Sequence, residues 1–352
     1  MGSVKDLEVI KRPTNNIMGI GRFHFSDRYS VFDWGEMPDQ IDRKGEGLCM
    51  MGAYCFEKLM EENVETHYRG LVTENGKVVT FGELEQPTAI MEVNLVNVFR
   101  PETRTINGKL EYNYDVYTPN LKNCLIPLEI IYRNGLPQGS SIFKRLEQGL
   151  ITIADLGLTR YPKPGEHLSH PIFDVSTKLE DKDRYTTWKE AQEIAKISDE
   201  ELNEIKTILM KVDKIITRMA SRAGLENEDG KIELAFDQER KLMVVDVVGT
   251  LDECRFTHNG LHVSKETARE FYRKTQWYND VEEAKKTAET KQIDDWKKIC
   301  KSQPPRLDPT LKSIISKMYM ATTNETTNRK FFDTPSLAQV IKEYREYNGE
   351  KK

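Results

Sequence analysis

Apolar and polar residues alternate most regularly over residues 231–236, where Ile232, Leu234 and Phe236 interleave with Lys231, Glu233 and Ala235. A period of two belongs to a strand with one buried face. The charged break Asp237 to Lys241 and a second apolar run, Leu242 to Val248, complete a hairpin. A four-residue turn, Gln238 to Lys241, would set Glu233 opposite Asp246 on one face. Two carboxylates beside Val244, Val245 and Val247 repel each other unless something neutralises them. Lys231 can do part of this, and a divalent cation held by oxygen ligands can do more. The alternative is that Glu233 faces solvent on an edge strand and Asp246 merely ends its strand.

The helical period is clearest from Ser198 to Arg222. There Ser198 and Glu201 form a capping box, and Leu202, Ile205, Leu209, Val212, Ile216 and Met219 share one stripe. Gly224 sits where a C-terminal glycine belongs. Leu48, Met51, Cys55 and Leu59 predict a helix over about 48–63, and Ser264 caps a shorter one running to Gln276. Strands are expected over 18–31, 70–81 and 90–99, and 125–132 (LIPLEIIY) reads as a buried strand. Residues 100–124 read as an inserted loop or extra hairpin. Gly139, Ser140 and Ser141 followed by Lys144 and Arg145 suit a phosphate at a helix start, or an ordinary cap. After Trp277 the chain is rich in Lys, Glu and Asp, with helical pieces near 280–300 and 335–348, and reads as a solvated extension.

Composition narrows the function classes. The net charge of −5 and a pI near 5.9 provide no basic field for nucleic acid or an anionic membrane. No apolar run approaches the ~18 residues that span a bilayer, and the N-terminus lacks a signal-peptide core. Five scattered cysteines without a C-x-x-C argue against a disulfide framework or structural zinc. Cys254 reads as a packing residue rather than a nucleophile. A cytoplasmic protein with reduced thiols is expected.

Several stretches, in order, resemble the SAICAR synthetase family. These are GSVKDL, DRYSVFD with DRKGEGLCMMGAYCFEKL, IPLEIIYRNGLPQGSSIFKRL, HPIFDVSTKLE, DGKIELAF with DVVGTLDECRF, and SKETAREFYR, covering about residues 1–278. The resemblance implies an α+β, two-lobed fold with an ATP-grasp-like nucleotide cleft between antiparallel sheets and a helical C-terminal extension. The expected division is a nucleotide-binding lobe over 1–93, a metal and substrate lobe over 94–278, and the extension over 279–352.

The implied activity is an ATP-dependent ligase. It joins the carboxylate of carboxyaminoimidazole ribonucleotide to the amine of L-aspartate through an acyl phosphate, with ATP and Mg²⁺ as cofactors. By resemblance Glu233 and Asp246 hold magnesium, and Lys231, Asp229 and Asp252 form the catalytic set. Lys5 and Lys231 approach the ATP phosphates, and Met91 and Glu92, at the connection between lobes, contact adenine. Arg133, Ser140 and Arg255 hold the ribonucleotide, while Lys265 and Arg269 reach the substrate from a closing helix. The partners are small molecules, with no nucleic acid and no membrane, and a homodimer is kept open.

Three features depart from the family pattern. Ser3 replaces a loop lysine, Val247 replaces an acid after the second metal ligand, and Lys182 to Tyr185 replaces the usual stretch near the aspartate site. A paralogue with another amine donor or acceptor, or a non-catalytic nucleotide-binding protein, therefore stands beside the ligase reading.

Overall fold

The computed structural model describes residues 4–106, 109–291, 293 and 295–349, so Ser3 lies outside the described residues. Strands β1 (Lys5–Lys11), β2 (Gly19–Phe25), β3 (Tyr68–Val72), β4 (Val78–Val79) and β5 (Ile90–Leu95) form an antiparallel sheet ordered β1-β2-β5-β3-β4. Helix α1 (Lys44–Glu61) packs on it with Leu48, Met51, Cys55 and Leu59 buried, as their spacing predicts. The strand expected over 70–81 is broken by a turn in which Gly76 takes φ 80°. Because β5 runs to Leu95, the expected lobe boundary at 93 falls inside a strand.

A separate ribbon, β6 (Glu102–Ile106) with β7 (Lys109–Asn113), fills the insertion. The second sheet contains β8 (Cys124–Leu136), β9 (Glu166–Thr177), β10 (Glu226–Phe236), β11 (Leu242–Val245), β12 (Cys254–His258) and β13 (Leu261–His262). Its order is β13-β12-β10-β8-β9, with β11 also paired to β10. Helices α2 (Ser141–Glu147), α3 (Trp188–Ala195) and α4 (Asp199–Arg222) interleave with these strands. In α4 the Ser198–Glu201 capping box forms and the predicted stripe is buried. The stripe covers β8 and β10, where Ile130, Tyr132, Ile232 and Leu234 are all buried, and so leaves the odd-numbered residues of both strands to the opposite face.

The hairpin differs from its predicted register by one residue. Glu233 pairs with Val245, not Asp246, because the Asp237 amide bonds the Lys241 carbonyl across a three-residue turn. Arg240 closes that turn in the left-handed region (φ 66°), held there by Glu201. A slip of one would normally send Asp246 to the other face. Asp246 instead ends β11 in the left-handed region (φ 64°), which turns the chain out of the strand and returns its side chain toward Glu233. The chain then leaves β10 over residues 246–253, packing Val247, Val248 and Leu251 inward, before rejoining it as β12. Gly249 (φ 72°) is required here, since a Cβ would sit 2.7 Å from the Cys55 sulfur of α1.

After α5 (Glu266–Arg273) and α6 (Gln276–Lys291) come α7 (Pro309–Thr327) and α8 (Leu337–Tyr347). The helix expected from Ser264 begins two residues later, with Lys265 at its cap and the Ser264 hydroxyl accepting from the Glu266 amide at 3.2 Å. The expectation of a solvated tail is overturned. Helix α7 packs on α1 and α4, burying Leu311, Ile314, Ile315, Met318 and Tyr319 in the same continuous core as both sheets. Three of its buried threonines bond backward within the helix: Thr323 donates to the Tyr319 carbonyl at 2.7 Å, Thr326 to that of Thr322 at 2.7 Å, and Thr327 to that of Thr323. This satisfies those hydroxyls inside the core. No helix among the described residues is long and apolar enough to cross a membrane.

Candidate active site

Pairing across three strands builds the site. Asp229 of β10 lies opposite Arg133 of β8 on one side and Arg255 of β12 on the other. Arg255 grips Asp229 with two guanidinium nitrogens, and Arg133 reaches it at 3.4 Å. Arg133, 2% exposed, also donates to Asp174 (3.2 Å), Ser141 (3.2 Å) and Tyr185 (3.1 Å). Arg145 pairs with the same Asp174 at 2.6 Å and stacks on Tyr185. Asp229 is thus the shared counter-ion of two arginines, a positioning group rather than a free catalytic one.

Arg133, Ser141, Tyr185, Asp229 and Arg255 line a cleft of about 380 Å³, with Lys231, Asp252, Glu253, Lys265 and Arg269 on its other walls. Cations there are only partly neutralised. Lys265 has no hydrogen-bond or ion-pair partner for its ammonium among the described residues, and burial, reinforced by the Arg269 charge, lowers its pKa while Asp252 opposes that. Arg269 pairs with Glu266 at 3.0 Å, yet its Nε is buried without a partner, as is the Nε of Arg133. Buried donors left open in this way suit an anionic ligand. Asp252 accepts from Lys44 (2.8 Å) and Tyr319 (2.6 Å), and although burial disfavours its charge, Lys44 and Lys265 hold its carboxyl far below the usual range. Both of its oxygens are thus held by donors from outside the cleft, which suits a positioning role.

Beyond Lys231 the wall turns acidic. Glu233 lies opposite Glu129 of β8, and Asp246 is near enough for its charge, after burial, to push the Glu233 carboxyl up. Burial opposes the Asp246 charge too, but Lys5 at 2.7 Å holds its carboxyl down. Lys178 bonds Glu233 at 2.5 Å and Glu129 at 3.4 Å, and Lys231 bonds Glu129 at 2.8 Å. His67, wedged between Phe23 and Phe56, lies 3.1 Å from the Asp246 carbonyl, and burial lowers its pKa to about 4. An all-oxygen set of two close acids, held in check by movable lysines, fits a hard divalent cation.

The structure therefore lines the cleft with Lys231, Asp229, Asp252, Arg133, Arg255, Lys265 and Arg269, and gathers Glu233, Asp246 and Lys5 into one charged cluster beyond that lining. Two expectations fail. Met91 and Glu92 lie mid-strand in β5, not at a lobe connection. Met91 is fully buried, Glu92 is held by Arg22 (3.2 Å) and Arg69 (3.1 Å), and both residues pair with β2 and β3. Their backbone edges are occupied, so they do not present to an adenine. Ser140 is not a wall residue. Its hydroxyl is buried without a partner and does not cap α2, while Gly139 and Ser141 on either side line the cleft. Sequence reasoning missed Glu129, Lys178 and Lys44, although Lys178 stands in the run STKLE and Lys44 in DRKGEG.

The SAICAR synthetase family model matches residues 16–292. An Archaeoglobus fulgidus protein provisionally named phosphoribosylaminoimidazole-succinocarboxamide synthase is 51% identical, covering 98% of this chain and 99% of its own. The synthase of that name from Thermoplasma volcanium is 30% identical over 88% of this chain and 93% of its own. The fold matches the Saccharomyces cerevisiae SAICAR synthase complexed with SAICAR, with TM-score 0.61 at 18% identity over 95% of each chain. It also matches a SAICAR synthetase in complex with ADP, with TM-score 0.54 at 19% identity over 87% of this chain and 99% of the other. Fold, cleft and sequence together place this chain in the SAICAR synthetase family.

Proposed function

We propose that the protein joins the carboxylate of carboxyaminoimidazole ribonucleotide to the amine of L-aspartate at the expense of ATP. The observation that carries the reading is the junction, along one sheet face, of an acid-rich corner with a cleft of partly unsatisfied cations. A carboxylate is a poor electrophile. Transfer of the terminal phosphoryl group of ATP to its oxygen gives ADP and an acyl phosphate, and the amine then attacks the acyl carbon. The C–N bond forms, inorganic phosphate leaves, and the nitrogen loses a proton to solvent. Little covalent chemistry falls to the protein, so catalysis is mainly positioning and charge neutralisation.

Lys5 and Lys231 stand beside the corner where the triphosphate would lie. Magnesium, if held there by Glu233 and Asp246 with Glu129 next to them, would neutralise phosphate charge. Arg133, Arg255, Lys265 and Arg269 orient the ribonucleotide through its anionic groups, and their carboxylate partners keep the guanidinium planes fixed. The decisive assay mixes the protein with carboxyaminoimidazole ribonucleotide, L-aspartate and Mg-ATP and follows ADP. Release that depends on aspartate is expected. Its absence rejects the reading, and release with another amine alone reassigns the donor.

A further inference from the structure

Asp252 is gripped from outside the cleft it lines. Lys44, from the first turn of α1, donates to one oxygen at 2.8 Å, and Tyr319, from the middle of α7, donates to the other at 2.6 Å. The Lys44 and Asp252 side chains are 0% and 4% exposed. The Lys44 ammonium also lies 5.5 Å from the centre of the Tyr319 ring. Neither Lys44 nor Tyr319 lines the cleft, whereas Asp252 and Lys265 both do. Three elements far apart in sequence thus converge on one carboxylate. A buried carboxylate holds its charge only while such donors remain, and a hydroxyl gripping one oxygen also fixes the plane of the group. Lys265, next to it, is the cleft cation without an ion-pair partner among the described residues.

We propose that Tyr319 is a positioning residue for ribonucleotide binding: by fixing Asp252 against Lys44 it sets the placement of Lys265, and so the affinity of the cleft for an oxyanion of the ribonucleotide. This rests on the ribonucleotide reading of the cleft given above. Its consequence is that a helix beyond the family-matched residues 16–292 belongs to the working site. A purely structural account of Tyr319, as a ring filling the space between α1 and α7, makes a different prediction, because phenylalanine fills the same space.

The test compares the full-length wild type with Tyr319→Phe, Asp252→Asn and the double variant, all checked for unchanged melting within a few degrees. Calorimetry measures binding of carboxyaminoimidazole ribonucleotide, of ribose 5-phosphate and of Mg-ADP. Loss of one hydrogen bond to a charged group is expected to weaken ribonucleotide binding in Tyr319→Phe roughly tenfold. Mg-ADP binding should be unchanged, and KM for the ribonucleotide should rise with kcat within about twofold. The effect should vanish in the Asp252→Asn background, where the coupling is already broken. Equal weakening of ribose 5-phosphate assigns the oxyanion to the phosphoryl group, and weakening of the ribonucleotide alone assigns it to the carboxylate. Wild-type affinity in Tyr319→Phe overturns the proposal. So does a loss that persists in full beside Asp252→Asn or extends equally to Mg-ADP. A wild type that binds neither ribonucleotide nor ribose 5-phosphate removes the underlying reading as well, and so separates the two failures.

Discussion

The two ends of the cleft are charged by opposite strategies. At the acidic corner Glu233, Glu129 and Asp246 are neutralised by Lys5, Lys178 and Lys231, long flexible side chains that present point charges. At the other end Arg133 and Arg255 are planar cations, locked by Asp174 and Asp229 across paired strands. A lysine can swing aside and exchange one partner for another, whereas an arginine braced by two buried carboxylates keeps its shape. On the reading proposed above, the first end exchanges counter-charges and the second reads a fixed anion.

Three variants probe that contrast, the largest effect first. Asp246→Asn removes a charge from the exchangeable corner without changing its shape. Turnover should fall by about 10³, roughly 4 kcal/mol, with the fold intact by melting. Turnover within tenfold of wild type would show that the corner holds no functional metal. At the fixed end, Arg133→Ala should be felt mainly as instability, of about 3–5 kcal/mol in denaturant unfolding, because it strands buried carboxylates. Arg255→Ala, nearer the open cleft and with Asp229 still held by Arg133, should instead raise KM for the ribonucleotide by about 30–100-fold. Equal losses of stability in both would erase the distinction between a brace and a reader.

The smallest effect concerns pH. His67 has a folded pKa of about 4, lowered by burial, against an ordinary value of 6.5. Its contribution to stability is therefore present above about 6.5 and lost as pH falls through about 4, where the unfolded chain takes up the proton first. Across that window wild-type stability should drop by on the order of 2 kcal/mol more than that of His67→Gln, followed by urea unfolding at fixed salt. Parallel curves would mean that the imidazole keeps its ordinary pKa in the folded state.

Much of this architecture was legible because its signals are local. Alternation at Ile232, Leu234 and Phe236, the Ser198–Glu201 cap and the stripe on α4 each depend on neighbours within one turn or one pleat. The errors came where a distant partner decides. The hairpin register turned on Arg240, whose left-handed backbone is held by Glu201 from another helix. Met91 and Glu92 looked like a connection, but β2 and β3 enclose them. Helix α7 is absent from the sequence reading although Asp308 and Pro309 are sound start signals, because the abundance of Lys, Glu and Asp beyond Trp277 reads as solvated. Glu129 lies within a continuous apolar run, where one acid reads as an accident until pairing sets it opposite Glu233.

The insertion of α7 against α1 and α4 bears on how the chain is made. Helix α1 ends at Glu61, yet its outer surface stays bare until residues near 320 have been synthesised. During translation the face of α1 that α7 covers stays open until then, and Asp252 gains its Tyr319 partner only at that point.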